Sequence, residues 1–520
     1  MRNPWDQRLG IWYIAQDRPE QPAIVESPTG EVLTFGELAG RAHQLVHALR
    51  ARGVGDGDVV AYALPNGVDI IVWQLATSEA GMRSLALNPA LTSEEMWEIA
   101  QHAAAKAVVI HADYQDRAAM LGEQPNLVVR VMVDGSAPGF VDQDDLIADH
   151  PTTPPEGRAA GSLITYSSGT TGKPKGVWRE QIPADPWALA DLMKSFGHAF
   201  RFLPFEGTHL VTAGLSHGGC FGFAQGALNV GQSLAIHKRF DAEEALRAIE
   251  RHRVTTAYMV PTQFVRLLHL PDEVRARHDT SSLQVVVHSA APCPLETKRQ
   301  MMEWWGPVIW ETYGGMEGAA TIAKPERWLE KPGTVGRAVR GVSVLILDDG
   351  GEPLPAGEIG QVYIRSDGPD WVYKDDPNLT DSVRRGDAFT IGDVGYLDDD
   401  GFLFICDRAK DMIIRGGVNI YPAEVEGTLS SHPAVRDVAV IGVPDAEWGE
   451  QVKAIVEVEP TVEASDALAD ELMAHCRAHL ASFKCPRSVD FRAELPRTEA
   501  GKLYKRLLRD EYWEAAGRRV

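Results

Sequence analysis

Tyr166-Ser-Ser-Gly-Thr-Thr-Gly-Lys-Pro-Lys-Gly176 is the densest chemical signal in this 520-residue chain, and it directly follows the apolar stretch Ser162–Thr165. Glycines and hydroxyl residues in a row let backbone N–H and side-chain O–H groups converge on one anion. Lys173 and Lys175 add positive charge. Ser167, Ser168, Gly169, Thr170, Thr171, Gly172, Lys173 and Lys175 thus form a candidate polyphosphate cradle. It is not a Walker A loop, because only two residues separate Gly169 from Gly172 and Pro174 follows the first lysine.

Outward from this stretch, short β-branched runs alternate with amphipathic helical ones. Val59–Leu64, Val108–His111 and Val254–Val260 read as strands. The last follows a predicted helix that starts at Asp241, with Glu244 three residues on and Ala245, Leu246 and Ile249 on one face. Strand, helix, strand at this spacing predicts βαβ units and a parallel sheet covered on both faces. His150–Gly161 is Pro/Gly-rich and polar, a loop. From Leu345 to Cys406, short alternating strands with turn signals predict a small β-rich subdomain, and after Asp411 the pattern becomes αβ again. The fold class is α/β, with a large N-terminal domain of several subdomains and a small α+β C-terminal domain. The boundary is expected near residues 409/410.

Composition narrows the function. Lys+Arg number 51 against 73 Asp+Glu, a net charge of −22, which argues against a nucleic-acid partner because phosphate backbones need a basic face. Five scattered cysteines without a CxxC pair form neither a disulfide framework nor a zinc module, and they suit a reducing, cytoplasmic setting. Neither a signal peptide nor a membrane-spanning run is visible. Nothing in the sequence fixes an oligomeric state.

Further stretches carry chemistry: Ala290-Ala-Pro292, Trp310-Glu-Thr-Tyr-Gly-Gly-Met-Glu317, Ile391-Gly-Asp393, Cys406-Asp-Arg408, Arg415-Gly-Gly417 and Pro496-Arg-Thr-Glu-Ala-Gly-Lys502. Together with Thr34-Phe-Gly-Glu-Leu38 and Gly57-Asp58, and in this order, they resemble the adenylate-forming superfamily of acyl-CoA synthetases, firefly luciferase and peptide-synthetase adenylation domains. The resemblance covers nearly the whole chain and is nearest to bacterial fatty-acid and steroid-type acyl-CoA ligases.

The resemblance implies a role for each stretch. ATP is bound with its phosphates on the 167–175 loop. Adenine and ribose meet Ala290, Ala291, Pro292, Glu311, Thr312, Tyr313, Gly314, Met316, Asp393 and Arg408. An aromatic plane at Tyr313 suits a purine face, and a carboxylate at Glu317 suits Mg²⁺. Met316 stands where the family usually has Thr, and Ile391 where Thr precedes the Gly. Lys410 is the implied hinge of a mobile lid, Arg415, Gly416 and Gly417 line the CoA tunnel, and His217 gates the acyl pocket. Lys502 is the implied catalytic lysine, whereas Lys505, Arg506 and Arg509 read as solvated.

The implied reaction is attack of a carboxylate on ATP's α-phosphate, loss of pyrophosphate, and transfer of the acyl group to CoA. An amine as acceptor is the second reading. Gly214-Leu-Ser-His-Gly218 also fits the GxSxG elbow of α/β-hydrolases, which would make Ser216 a nucleophile. Gly218, Gly219, Gly222, Gly314 and Gly315 suggest room for a bulky or long apolar acid.

Overall fold

The computed structural model describes residues 4–118, 126–168, 174–180, 185–187, 190–416, 418–445, 447–497 and 503–515. The chain forms two compact units. One comprises Met1–Met259, His269–Val287 and Gly368–Thr380, and the other Val260–Leu268, His288–Asp367 and Asp381–Val520.

The first unit holds two largely parallel sheets. In one, Ser162–Ser168, Arg83–Ala86, Val59–Ala63, Ala105–His111, Val129–Val133 and Val141–Asp142 run side by side and parallel. Their continuous apolar character follows from burial on both faces, and Val59–Ala63 is buried at every position. In the other, Thr208–Val211 lies between Ser233–Ile236 and Val254–Met259, all parallel. The helices Gly218–Asn229 and Ala242–Arg251 make the crossovers. The second of these begins as its sequence predicts: the Asp241 carboxylate accepts the Glu244 N–H at 2.9 Å. Its Ala245, Leu246, Ala248 and Ile249 are buried. Each of the two larger side chains contributes about 1.5–3 kcal/mol on burial.

The second unit carries the predicted β-rich subdomain, an antiparallel sheet of Val342–Leu347, Gly360–Ser366, Ala388–Phe389, Asp393–Leu397 and Leu403–Arg408. One strand expected there is placed elsewhere. Trp371–Tyr373 pairs antiparallel with Pro174–Arg179 in the first unit, where it completes the open edge of the phosphate-loop hairpin.

Near the C-terminus, Val435–Asp445 and Gly449–Val458 form a long antiparallel pair, with Ser488–Phe491 added in parallel. Strand alternation sorts its side chains. Val438, Val440, Ala454 and Val456 enter one core with Val425, Leu429 and Leu472 of two helices. Ala439, Ile441, Val443 and Ile455 face the other way, against Leu508 of the Lys505–Ala515 helix. Described residues flank the 498–502 segment on each side. Arg497 and Leu503 form an isolated antiparallel bridge, and the Arg497 guanidinium makes two 2.6 Å hydrogen bonds to the Asp437 carboxylate.

Candidate active site

In the first unit, the phosphate-loop motif connects two antiparallel strands. Ser167 pairs with Lys175 and Ser168 with Pro174, so the loop leads into a strand rather than a helix and is structurally distinct from a Walker A element. Gly169, Thr170, Thr171, Gly172 and Lys173 lie outside the described residues. The hairpin is braced by Tyr166, whose hydroxyl shares a 2.7 Å hydrogen bond with His102 Nδ1. A Cβ on Gly176 would stand 2.6 Å from the Tyr166 ring, which explains the glycine that closes the motif. The Lys175 ammonium lies 5.7 Å from the centre of the Tyr373 ring.

His217 is the residue before the Gly218–Asn229 helix. Its Nε2 is buried without a hydrogen-bond partner, and burial lowers its pKa, so the ring is neutral at neutral pH. No hydrogen bond joins Ser216 to a histidine among the described residues. The hydroxyl therefore lacks the base that a hydrolase nucleophile needs, and the GxSxG match is a turn before a helix.

The glycines sort by geometry. A Cβ at Gly219 would lie 2.6 Å from Tyr258 Oη, and one at Gly314 would lie 2.5 Å from the Gly318 carbonyl oxygen. One at Gly315 would meet Glu317 Oε2 at 2.5 Å. Gly219 and Gly314 are glycines because neighbours approach closely, whereas at Gly315 the close atom is the far end of a flexible side chain that can move aside. Gly222 differs, since a methyl there would meet nothing within 4 Å.

In the second unit, the predicted nucleotide residues converge. Ile309–Gly315 and Gly318–Ala323 form a hairpin with Gly315 opposite Gly318, so Met316 and Glu317 are its two-residue turn. Tyr313 Oη donates to Asp393 Oδ2 at 2.7 Å, and Arg408 Nε lies 2.9 Å from Asp393 Oδ1. Asp393 is 3% exposed. Burial and this carboxylate push the tyrosine hydroxyl's pKa well up, so it stays a donor. The Ser289 hydroxyl donates to the Thr312 carbonyl at 2.7 Å. Ala290, first of the Ala-Ala-Pro292 turn, has φ 72°, a left-handed conformation that an alanine adopts at a cost of about 1 kcal/mol.

Glu311 was expected at the nucleotide, but its carboxylate is engaged inside the protein. Lys298 Nζ lies 2.6 Å from Glu311 Oε2, and His288 Nε2 lies 3.5 Å from the same oxygen. Lys298 and His288 are fully buried. Burial pushes the Glu311 carboxyl up, but Lys298 and His288 outweigh it and hold it at about 2. A sequence signal for Lys298 existed. It occupies the apolar stripe Lys298, Met301, Met302, Trp305 of its helix, where a lysine needs a buried partner.

Toward the C-terminus, Lys410 sits in a turn where the Asp411 and Met412 N–H groups both reach the Arg408 carbonyl. Arg509 donates to the Lys410 carbonyl at 2.9 Å. Lys505 is not solvated as its sequence suggested. Its ammonium lies 2.8 Å from Glu426 Oε1, with Asp407 as a second buried acid. Burial raises both carboxyls, and the partial compensation by Lys505 does not cancel it. Gly416 has φ 58°, and a Cβ there would stand 2.6 Å from the Trp448 ring, so only glycine fits between Arg415 and that indole. Gly417 and Lys502 lie outside the described residues. No helix among the described residues is long and apolar enough to cross a membrane.

This set of sites belongs to one class. Residues 11–372 match the AMP-binding enzyme family, and residues 424–502 match the AMP-binding enzyme C-terminal domain. The chain belongs to this family of adenylate-forming ligases, with the family's large N-terminal and small C-terminal domains. It is 33% identical to a feruloyl-CoA synthase of an Amycolatopsis species, over 97% of this chain and 98% of the relative. Its fold is similar to that of the anthranilate CoA ligase AuaEII in complex with anthranoyl-AMP (TM-score 0.85, 27% identity, 99% and 100% of the two chains). It is equally comparable to the amide bond synthetase McbA of Marinactinospora thermotolerans (TM-score 0.82, 30% identity, 96% and 99%).

Proposed function

We propose that the chain activates a carboxylic acid with ATP, releases pyrophosphate, and passes the acyl group from the acyl-adenylate to CoA. The Tyr313–Asp393–Arg408 chain carries this reading. A buried carboxylate whose Tyr313 donor can be displaced is a ready acceptor for ribose hydroxyls. Release of Tyr313 from Asp393 would free its ring to stack on adenine, with Ala290, Ala291 and Pro292 along the edge of the base. The 167–175 loop with Lys175 would hold the phosphates. Arg408 would stay on Asp393 as the ribose docks.

Glu317, in the turn of its hairpin, fits a hard cation that takes one carboxylate and completes its shell with water and phosphate oxygens. Bound Mg²⁺ would supply charge neutralisation for the leaving pyrophosphate. The chain's own residues do the rest. Lys502 would bridge the attacking carboxylate and the α-phosphate, stabilising charge that appears only in the transition state. A neutral His217 would close the acyl side without competing for protons.

The domain boundary falls near residues 409/410 in this reading, with Lys410 as hinge. Arg415, Gly416 and Gly417 would line the thiol path after the lid rotates. The open face at Gly222 and the aromatic acid in the name of the feruloyl-CoA relative support a bulky or extended apolar acid. Capture of the adenylate by an amine is the second reading. It is supported by the likeness to McbA and by Met316, where a family threonine would have bonded phosphate.

The test is pyrophosphate release with ATP, Mg²⁺ and a panel of acids, with and without CoA. Acid-dependent release that falls about 10²–10³-fold in Lys502→Ala is the expected result. Stimulation by CoA with AMP formation supports the thioester. Release that an amine stimulates and CoA does not would move the acceptor to the second reading, and no release with any acid would sink both.

A further inference from the structure

In Trp371-Val-Tyr373 the two aromatic residues are buried and Val372 between them is exposed, the alternation of a strand with one covered face. The strand pairs antiparallel with Pro174–Arg179, placing Trp371 opposite Arg179 and Tyr373 opposite Val177. Residues two apart on a strand share a face, so Lys175 lies on the face of Val177. It is therefore the diagonal neighbour of Tyr373, a separation that a long side chain spans. The Lys175 ammonium lies 5.7 Å from the centre of the Tyr373 ring. That is inside the ~6 Å over which an aromatic face attracts a cation.

The ring itself is fixed by its surroundings. The Tyr373 N–H donates to the buried Thr380 hydroxyl at 2.9 Å, and that hydroxyl donates to the Asp376 carbonyl at 3.0 Å. The Asp376 carboxylate accepts the Leu379 N–H at 2.9 Å. One residue after the ring, the Lys374 N–H donates to the Gly176 carbonyl at 2.9 Å. Trp371 packs edge-on against the ring with centroids 5.1 Å apart. All of these residues belong to the first unit.

Two lysines flank this sheet edge, and they are held by different means. The Lys374 ammonium lies 2.9 Å from the Asp375 carboxylate and 4.9 Å from the centre of the Trp178 ring. No carboxylate pairs with the Lys175 ammonium among the described residues. A carboxylate would place an ammonium but cancel its charge and compete with an incoming phosphate. A ring face places it and leaves the charge whole.

We propose that Tyr373 is a positioning residue for ATP, holding the Lys175 ammonium uncancelled beside the phosphate-loop hairpin before the polyphosphate arrives. Holding the cation in advance lowers the ordering cost of binding. The inference rests on the acid-activating reading above, in which Lys175 meets the phosphates. Trp371–Tyr373 then does more than cover a sheet edge, because it carries the ring that aims one of the loop's own cations.

The experiment uses the full-length enzyme with Tyr373→Phe and with pentafluorophenylalanine incorporated at position 373, each also combined with Lys175→Met. Phenylalanine keeps the negative face of the ring, whereas fluorination keeps its shape and removes that face. Binding of MgATP is read by calorimetry, and KM for ATP and kcat are read in acid-dependent pyrophosphate release. Tyr373→Phe is expected within about twofold of the unsubstituted enzyme. The fluorinated ring should weaken ATP about fivefold in Kd and KM, with kcat at saturating ATP retained. In the Lys175→Met background the two rings should bind ATP alike, a result that a purely structural role of the ring does not produce. Equal ATP affinity of the two rings with Lys175 present, or a difference that persists in Lys175→Met, overturns the inference. ATP binding without pyrophosphate release on any acid removes the acid-activating reading but leaves the calorimetric comparison to decide this one. No ATP binding by the unsubstituted enzyme removes both.

Discussion

Two lysines of the second unit, Lys298 fully buried and Lys505 half-buried, each against a glutamate, are balanced in opposite ways. Lys298 meets Glu311 at 2.6 Å with His288 beside it, and cationic groups prevail, so the carboxyl is held at about 2. Lys505 meets Glu426 at 2.8 Å but also faces Asp407, and burial prevails at both carboxyls, which are raised. The first pair ties a helix to the strand that presents Tyr313. The second ties the last helix to the residue next to Arg408, where the chain turns toward Lys410. A fully compensated pair suits an element that stays put, and an acid-rich one suits an element whose contacts are exchanged.

The largest break in this contrast should come from Lys298→Met, which strands Glu311 in the interior. We expect a loss of about 3–5 kcal/mol, read as an earlier thermal unfolding transition, with most of it recovered in Lys298→Met/Glu311→Gln. Lys505→Met should cost less, about 2 kcal/mol, because Glu426 retains the Val440 N–H and more solvent. Its clearer signature would be a changed ratio of adenylation to thioester formation in partial-reaction assays.

Titration sharpens the contrast further. The Glu311 carboxyl is depressed, so its contribution is complete above the ordinary glutamate value and is lost only as pH falls through about 2. The Glu426 carboxyl is raised, so its contribution is complete below the ordinary value and is lost as pH rises through the folded one. Between pH ~5 and ~8 the stability deficit of Glu311→Gln should therefore stay flat, while that of Glu426→Gln should shrink by about 1.4 kcal/mol per pH unit crossed before its folded value. Melting curves of both variants across this range test the sign, and parallel slopes would refute it. The smallest effect belongs to Ala290→Gly, which relieves a left-handed alanine and should stabilise by about 0.5 kcal/mol net of the freer unfolded chain.

The sequence exposed what depends on local order. The Asp241 cap and the strands at 59, 108 and 254 all lie in short windows where spacing speaks. What it hid depends on partners far along the chain. Lys505 looked like one of several basic residues in a polar tail, because nothing nearby in sequence announces Glu426 across the fold. Glu311 sits inside a nucleotide motif, yet its partner comes from another helix. Trp371–Tyr373 reads like its β-rich neighbours, and only the open edge of a distant hairpin draws it away. The glycines do not behave as one group: Gly222 is open, whereas Gly219 and Gly314 are crowded, and emptiness and crowding both call for glycine.

The bridge between Arg497 and Leu503 bears on how the enzyme can be lengthened. Lys502 directly precedes Leu503, a residue whose bridge to Arg497 (the other foot of this segment) and following helix are fixed. Insertions between the two feet would add little closure entropy, since doubling a loop costs only about 0.6 kcal/mol. On the proposed role of Lys502, they would instead dilute its ammonium at its target. Loop length here would then act as a concentration control on the proposed reaction, with the fold almost indifferent to its setting.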